Sequence, residues 1–241
     1  MNLYNQIYLR KSCRKYTMTP LPAEQLAEIE AFIHGMRPLF PEVQITHRIV
    51  ERAQLKGMLV PKAPHYLIIS GVPAPYRELC AGFLFQQLDL YLSARGLGTC
   101  WLGVAKGREK SEAKDDILSL CFGEAAEPQT RTAAEFKRKS LTEIASGDDP
   151  RLEAARLAPS GINSQPWYFI ARDGDIHVYQ AVPKKLRALL YDLEELDVGI
   201  ALCHLALATE AQGEVFRFET DGQNPPVAPQ GFAYMGTVKK P

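Results

Sequence analysis

Residues 167–180 read WYFIARDGDIHVYQ, and this stretch decides the fold. WYFIA and DIHVYQ are short runs of β-branched and aromatic residues joined through Arg172-Asp173-Gly174. Asp-Gly between two such runs predicts a β-hairpin. Upstream, Asp149-Pro150 opens a helix, with the Asp as cap and the Pro in the first turn. That helix must stop near Ala158, because Pro159 disfavours helical geometry before it. Downstream, Leu193 to Gln212 reads as a long apolar helix ending at Gly213. EVFRFE (214–219) alternates as a strand does, and FAYMGTV (232–238) is a further short strand.

The first half alternates in the same way. A helix is predicted from near Pro22 to His34, closed by Gly35, and a buried strand at HYLIIS (65–70). Tyr76 to Arg95 is helical with apolar residues on most faces, and Gly96 stops it. TCWLGV then reads as extended chain or turn, while DDILSLCFG fits either a helix end or a strand. The halves echo each other. Pro64-His65-Tyr66-Leu67-Ile68 resembles Pro166-Trp167-Tyr168-Phe169-Ile170, and QQLDLYLSARGLG resembles ALCHLALATEAQG. A strand followed by a long apolar helix, twice in one order, reads as a duplicated unit packed as an internal dimer.

The chain has 241 residues, with 28 Lys+Arg against 28 Asp+Glu. That balance argues against a nucleic-acid binder with a broad basic surface. With 46% hydrophobic residues it is not a disordered chain. The five cysteines are scattered without a C-x-x-C pair, so neither a disulfide framework nor a metal site is expected. The N-terminus has no apolar core of a signal peptide, and Gln86, Gln87, Asp89 and Arg95 break the longest apolar stretch. The expectation is a cytoplasmic protein with no membrane or nucleic-acid partner.

Three segments carry chemistry. Arg10-Lys11-Ser12-Cys13-Arg14-Lys15-Tyr16 gathers four cations and a hydroxyl, a set suited to a phosphate, though a solvated basic turn has the same composition. Ala158-Pro159-Ser160-Gly161-Ile162-Asn163-Ser164-Gln165-Pro166-Trp167 is stiffened by two prolines and dense in neutral donors and acceptors. It suits a flat heteroaromatic ring, or an ordinary helix-to-strand turn. Gly96-Leu97-Gly98-Thr99-Cys100-Trp101-Leu102-Gly103 lets backbone approach a ligand, but its glycines follow a helix rather than open one, unlike a Rossmann loop.

Together, R-K-S-x-R, A-P-S-x-x-N-x-Q-P-W-x-F and G-L-G-T-C-W-L-G resemble the nitroreductase family of FMN-dependent oxidoreductases. The order departs from the usual one: here the Asn-Gln-Pro-Trp loop follows the Gly-rich segment. Ordinary members are homodimers with FMN at the subunit interface, so the chain is similar to a fused, pseudo-dimeric branch. The resemblance implies an α+β fold, a mixed and mainly antiparallel sheet flanked by helices and internally duplicated. It implies one domain over 1–241, built from halves of about 1–125 and 126–241. Arg10, Lys11, Ser12 and Arg14 would hold the phosphate and ribityl end, with Arg138 or Lys139 closing on the phosphate. Pro159, Ser160, Asn163 and Gln165 would meet the ring. Leu102, Gly103 and Val104 would pass its reactive edge, where a backbone N–H can meet N5. Aligning the two strands sets Gly57-Met58 and Pro61 opposite Pro159-Ser160 and Asn163, and Trp101 to Gly103 opposite Phe216 to Phe218. The complementary site has lost its polar loop, so a monomeric pseudo-dimer with one FMN per chain is expected.

No side-chain acid or base is required. The five histidines do not cluster at these motifs, and His204 on its apolar helix reads as a satisfied core residue. Hydride would pass from NADH or NADPH to flavin N5 and on to a nitroaromatic, quinone or similar small acceptor. The alternatives are a flavin-binding protein of this fold without general reductase activity, and a non-flavin interaction protein.

Overall fold

The computed structural model describes residues 2–57, 59–109, 115–182, 191–222 and 224–240. Four antiparallel strands make the first sheet, in the order β1 (Ile45–Val50), β3 (His65–Gly71), β6 (Asp116–Glu124), β4 (Leu97–Leu102). β2 (Leu55–Lys56) and β5 (Lys106–Gly107) pair as a separate two-stranded ribbon. The second sheet runs β10 (Phe218–Glu219), β11 (Phe232–Val238), β9 (Asp175–Ala181), β8 (Trp167–Arg172), β7 (Ala145–Ser146), antiparallel except for β7 beside β8. The expected mixed and mainly antiparallel pairing is present, divided between these two larger sheets and the ribbon. Among the helices are α1 (Leu3–Ile7), α2 (Ala23–His34), α3 (Arg77–Ala94), α4 (Leu141–Ile144), α5 (Leu152–Arg156) and α6 (Tyr191–Ala211).

The hairpin at 167–180 forms as its turn chemistry demands, with Asp173 at φ 55° and Gly174 at φ 88°. β3 is buried along its whole length, which is why it reads as an unbroken apolar run rather than an alternation. DDILSLCFG resolves as strand β6. α5 is shorter than its sequence signal: Asp149 accepts the Arg151 backbone N–H, and the helical turn proper starts only at Leu152. EVFRFE contributes just the two residues of β10, whereas β1, with Thr, His and Arg among its six residues, carries no apolar signal.

α3 and α6 lie against each other in the middle of the molecule, meeting at Gly82 and Gly199. α3 from Leu79 to Leu92 and α6 from Leu196 to Thr209 are buried on nearly every face, because sheets and helices cover them. Among the described residues no helix is long and apolar enough to cross a membrane.

The two sheets share a connectivity. Hairpin, long helix, strand and strand follow each other in both, and the spatial order β1-β3-β6-β4 is repeated by β8-β9-β11-β10. By this order β8 takes the place of β1 and β9 that of β3. The likeness between His65–Ile68 and Trp167–Ile170 is thus one strand out of step, and the match of Gly57 and Pro61 with the Ser160 loop goes with it; Met58 lies outside the described residues. The segment that precedes β1, around Arg37 to Leu39, takes the place of that loop instead. β10 takes the place of β4, but the match of Trp101 to Gly103 with Phe216 to Phe218 is two residues out: Phe216 precedes β10, and the reciprocal contact of Gly82 with Gly199 sets Trp101 opposite Phe218.

Candidate functional site

A cavity of about 360 Å³ opens between the halves. Ser12 and Arg14 line it from the N-terminal segment, Cys100, Trp101, Gly103 and Val104 from β4 and the turn beyond it. From the second half come Pro159, Ser160 and Gly161 of the loop before β8, and Leu196, Asp197 and Ile200 of α6. Six of the expected residues therefore meet here: Ser12, Arg14, Gly103, Val104, Pro159 and Ser160. Arg14 is exposed and has no hydrogen-bond or ion-pair partner among the described residues.

The other seven are not part of that lining. Arg10 is only 1% exposed; it pairs with Asp89 at 3.0 Å and donates to Ser12 Oγ at 3.1 Å, and its Nη1 is buried with no partner among the described residues. Lys11 Nζ reaches the Pro128 carbonyl at 3.5 Å. Leu102 is buried in the core cluster that also holds Cys100. Arg138 donates to the Ala158 carbonyl at 3.0 Å and to Asn163 Oδ1 at 2.6 Å. Lys139 Nζ donates to the carbonyls of Ser164 and Gln165 at 3.1 and 3.2 Å.

Asn163 and Gln165 use their amides inside the loop. Asn163 Nδ2 donates to the Lys137 carbonyl at 2.8 Å. Gln165 accepts the Lys139 backbone N–H at 2.8 Å and donates to the Asn163 carbonyl at 3.1 Å, while its own N–H donates to Ser160 Oγ at 2.9 Å. These bonds hold a strained backbone: Ile162, Asn163 and Gln165 have φ of 49°, 60° and 51°. Such φ values in non-glycine residues cost about 1–3 kcal/mol each and persist only where surroundings impose them.

Three further features carry no sequence motif. Arg131 donates to the Arg10 carbonyl at 2.8 Å, and its guanidinium lies 3.9 Å from the Phe136 ring centroid. Burial, then the charge of Arg10, pushes Arg131 down to about 10. Burial followed by Arg131 and Arg10 does the same to Arg138. Guanidiniums drawn together against their mutual repulsion make a place where an anion relieves the strain.

Asp197 is 5% exposed, and both its carboxylate oxygens lie against the Gly161 N–H, at 2.9 and 3.1 Å. Burial pushes its carboxyl up to about 8, with Glu194 adding in the same direction. Lastly, Trp101 Nε1 donates to Gln86 Oε1 at 3.3 Å, Gln86 Nε2 lies 3.1 Å from His204 Nε2, and His204 Nδ1 lies 2.8 Å from the Ala154 carbonyl. Burial pushes His204 down to about 3, so it is neutral, with Nδ1–H donating and Nε2 accepting. His204 is a satisfied core residue, and its chain of bonds fixes the Trp101 ring in the cavity wall.

Residues 2–209 match the family model described as "Putative TM nitroreductase". The chain belongs to that family. A crystal structure of a putative nitroreductase from Thermotoga maritima MSB8 is similar in fold, with a TM-score of 0.70 at 21% identity over 99% of this chain and 93% of that one. An FMN-dependent nitroreductase from Clostridium difficile R20291 aligns over 60% of this chain and 98% of its own, with a TM-score of 0.47 at 14% identity. No curated protein sequence matches. For this nitroreductase-family chain the donor set fits a flavin mononucleotide. Arg10 Nη1 is a buried donor without an acceptor, Arg131 and Arg138 repel each other beside it, and a cavity with mainly apolar walls adjoins Ser12 and Arg14.

Proposed function

We propose that this nitroreductase-family oxidoreductase is FMN-dependent and takes its electrons from NADH or NADPH. The observation that carries the reading is the junction of a cationic, donor-rich N-terminal segment with an apolar cavity walled by Trp101, Pro159 and Ile200. Arg10, Ser12 and Arg14 bind the phosphate and ribityl end, backed by Arg131 and Arg138. Pro159 and Ser160 orient the ring, while Asn163, Gln165 and Lys139 hold their loop in shape. Leu102 to Val104 border the reactive edge with backbone. Bound FMN supplies two-electron chemistry at N5, from the nicotinamide to a nitroaromatic, quinone or similar small acceptor.

The same reading makes the molecule an internal pseudo-dimer with one FMN per chain, monomeric in solution. Its support is the second cleft, lined by Arg37, Pro38 and Leu39 before β1, Phe83 of α3, and Phe216 to Glu219. By connectivity this is the counterpart of the first cavity. Arg37 lies there 5.8 Å from the Phe83 ring centroid and 5.9 Å from that of Phe216, and is paired with Glu210. A guanidinium and two rings stand where the first cavity has a serine-bearing loop.

The test is the visible spectrum of the purified protein, followed by addition of NADH or NADPH. A yellow protein that bleaches supports the reading. Colourless protein that fails to bind added FMN overturns it, and flavin retained through dialysis by the Arg10→Ala, Arg14→Ala double variant overturns the phosphate assignment.

A further inference from the structure

Three cysteine thiols lie against one face of the first sheet, and one of them reaches the cavity. Cys100 on β4 and Cys121 on β6 are direct cross-strand partners. Cys13 packs over Gly98, one step along the same face of β4. All three are free and buried, and they share one cluster of core residues. Cys100 alone among them lines the cavity, as Arg14 and Trp101 also do.

Directly opposed residues on antiparallel strands have Cα atoms about 4.5 or 5.5 Å apart, depending on the pair type. Both spacings fall in the window of about 4.4–6.8 Å across which a disulfide closes. The two thiols are also chemically unequal. Hydrogen bonding from Cys121, then the charges of Arg14 and Arg10, holds Cys100 down at about 7 against the opposing effect of burial. The same bond and its burial push the Cys121 thiol up. Tyr16 Oη, 3.4 Å from Cys121 Sγ, closes the inner side. The sulfur on the cavity side is thus the more readily ionised of the two, as an attacking sulfur must be, and Cys121 behind it is placed as the resolving one.

We propose that Cys100 and Cys121 form a redox-active dithiol that exchanges an electron pair with the flavin of the same chain; the proposal rests on the flavin reading above. In the forward direction the Cys100 thiolate and the Cys121 thiol form one S–S bond. Their two electrons and the Cys121 proton pass to the oxidised flavin, which becomes the two-electron-reduced anion. In reverse, the reduced flavin returns the pair and the proton, and the S–S bond opens. The chain then stores four electrons, as many as take a nitro group to a hydroxylamine. The dithiol is closed to bulk solvent, so the cavity is its route of exchange.

Anaerobic reductive titration of the oxidised holoprotein with dithionite tests this, with flavin absorbance as the readout. Four electrons per bound flavin are expected in the wild type and two in Cys121→Ser and in Cys100→Ser, with flavin content per chain confirming that each variant is folded. Two electrons in the wild type overturn the proposal. A non-reducing peptide map of the oxidised wild type is expected to link residue 100 to residue 121; a link through Cys13, or none, overturns it too. Failure of the flavin reading looks different: the protein then lacks visible absorbance before any reductant is added, and the exchange falls with it.

Discussion

Gly82 and Gly199 press on each other's helices in the same way. A Cβ at Gly82 would stand 2.0 Å from the Leu196 carbonyl oxygen, and one at Gly199 would stand 2.0 Å from that of Leu79. Each glycine thus meets the residue three positions before the other. Gly82→Ala and Gly199→Ala should each force α3 and α6 apart. Overpacking typically costs about 1–3 kcal/mol, and contact with rigid backbone belongs at or above the top of that range. Urea denaturation should show it, whereas Gly35→Ala, whose nearest atom would be 3.6 Å from the new Cβ, should be near neutral.

Arg10 and Asp89 are both buried, so removing one partner strands the other. Asp89→Leu should cost about 3–5 kcal/mol. Adding Arg10→Met should recover most of that, because an apolar pair leaves no uncompensated charge. If Arg10 also serves the phosphate, the recovered double variant should still hold FMN at least tenfold more weakly, from a charge-assisted bond of about 1.5–3 kcal/mol. Denaturation and flavin titration on the same protein separate the two roles.

His204 should make the fold sensitive to acid. Its folded value lies well below the ordinary 6.5, so the unfolded chain binds the extra proton first. Stability is therefore lost as pH falls from about 6.5 toward about 3. Burial lowers His65 and His177 as well, which adds in the same direction. His204→Gln should flatten the acid limb of a stability-against-pH curve by about one proton's slope.

Asp197 should act with the opposite sign. Its folded value is raised from 3.8 to about 8, so its contribution is complete below 3.8 and is lost as pH rises through about 8. Between about 6.5 and 8 the slope of His204 fades while that of Asp197 remains. Asp197→Asn, which still accepts the Gly161 N–H, should remove that decline, read as urea midpoints at the two ends of this interval.

The hairpin at 167–180 and the long helices were legible because turn residues and apolar runs are local signals. β1 was not, since Thr46, His47 and Arg48 interrupt its apolar residues and its place is fixed by pairing with β3. Of the site, the motif residues that line the cavity were readable. Asn163 and Gln165 were found but not their use, because their partners Lys137 and Lys139 lie more than twenty positions away. Asp89 beside Arg10, Arg131 behind it and Asp197 beneath Gly161 come together only in three dimensions.

The contact between α3 and α6 is made within one polypeptide. A cleft shared by two separate subunits empties on dilution, because its halves part when protein concentration falls below their dissociation constant. Here the walls of the cavity are covalently tethered, and closing it is a unimolecular event. Its ligand affinity should therefore be the same at nanomolar as at micromolar protein.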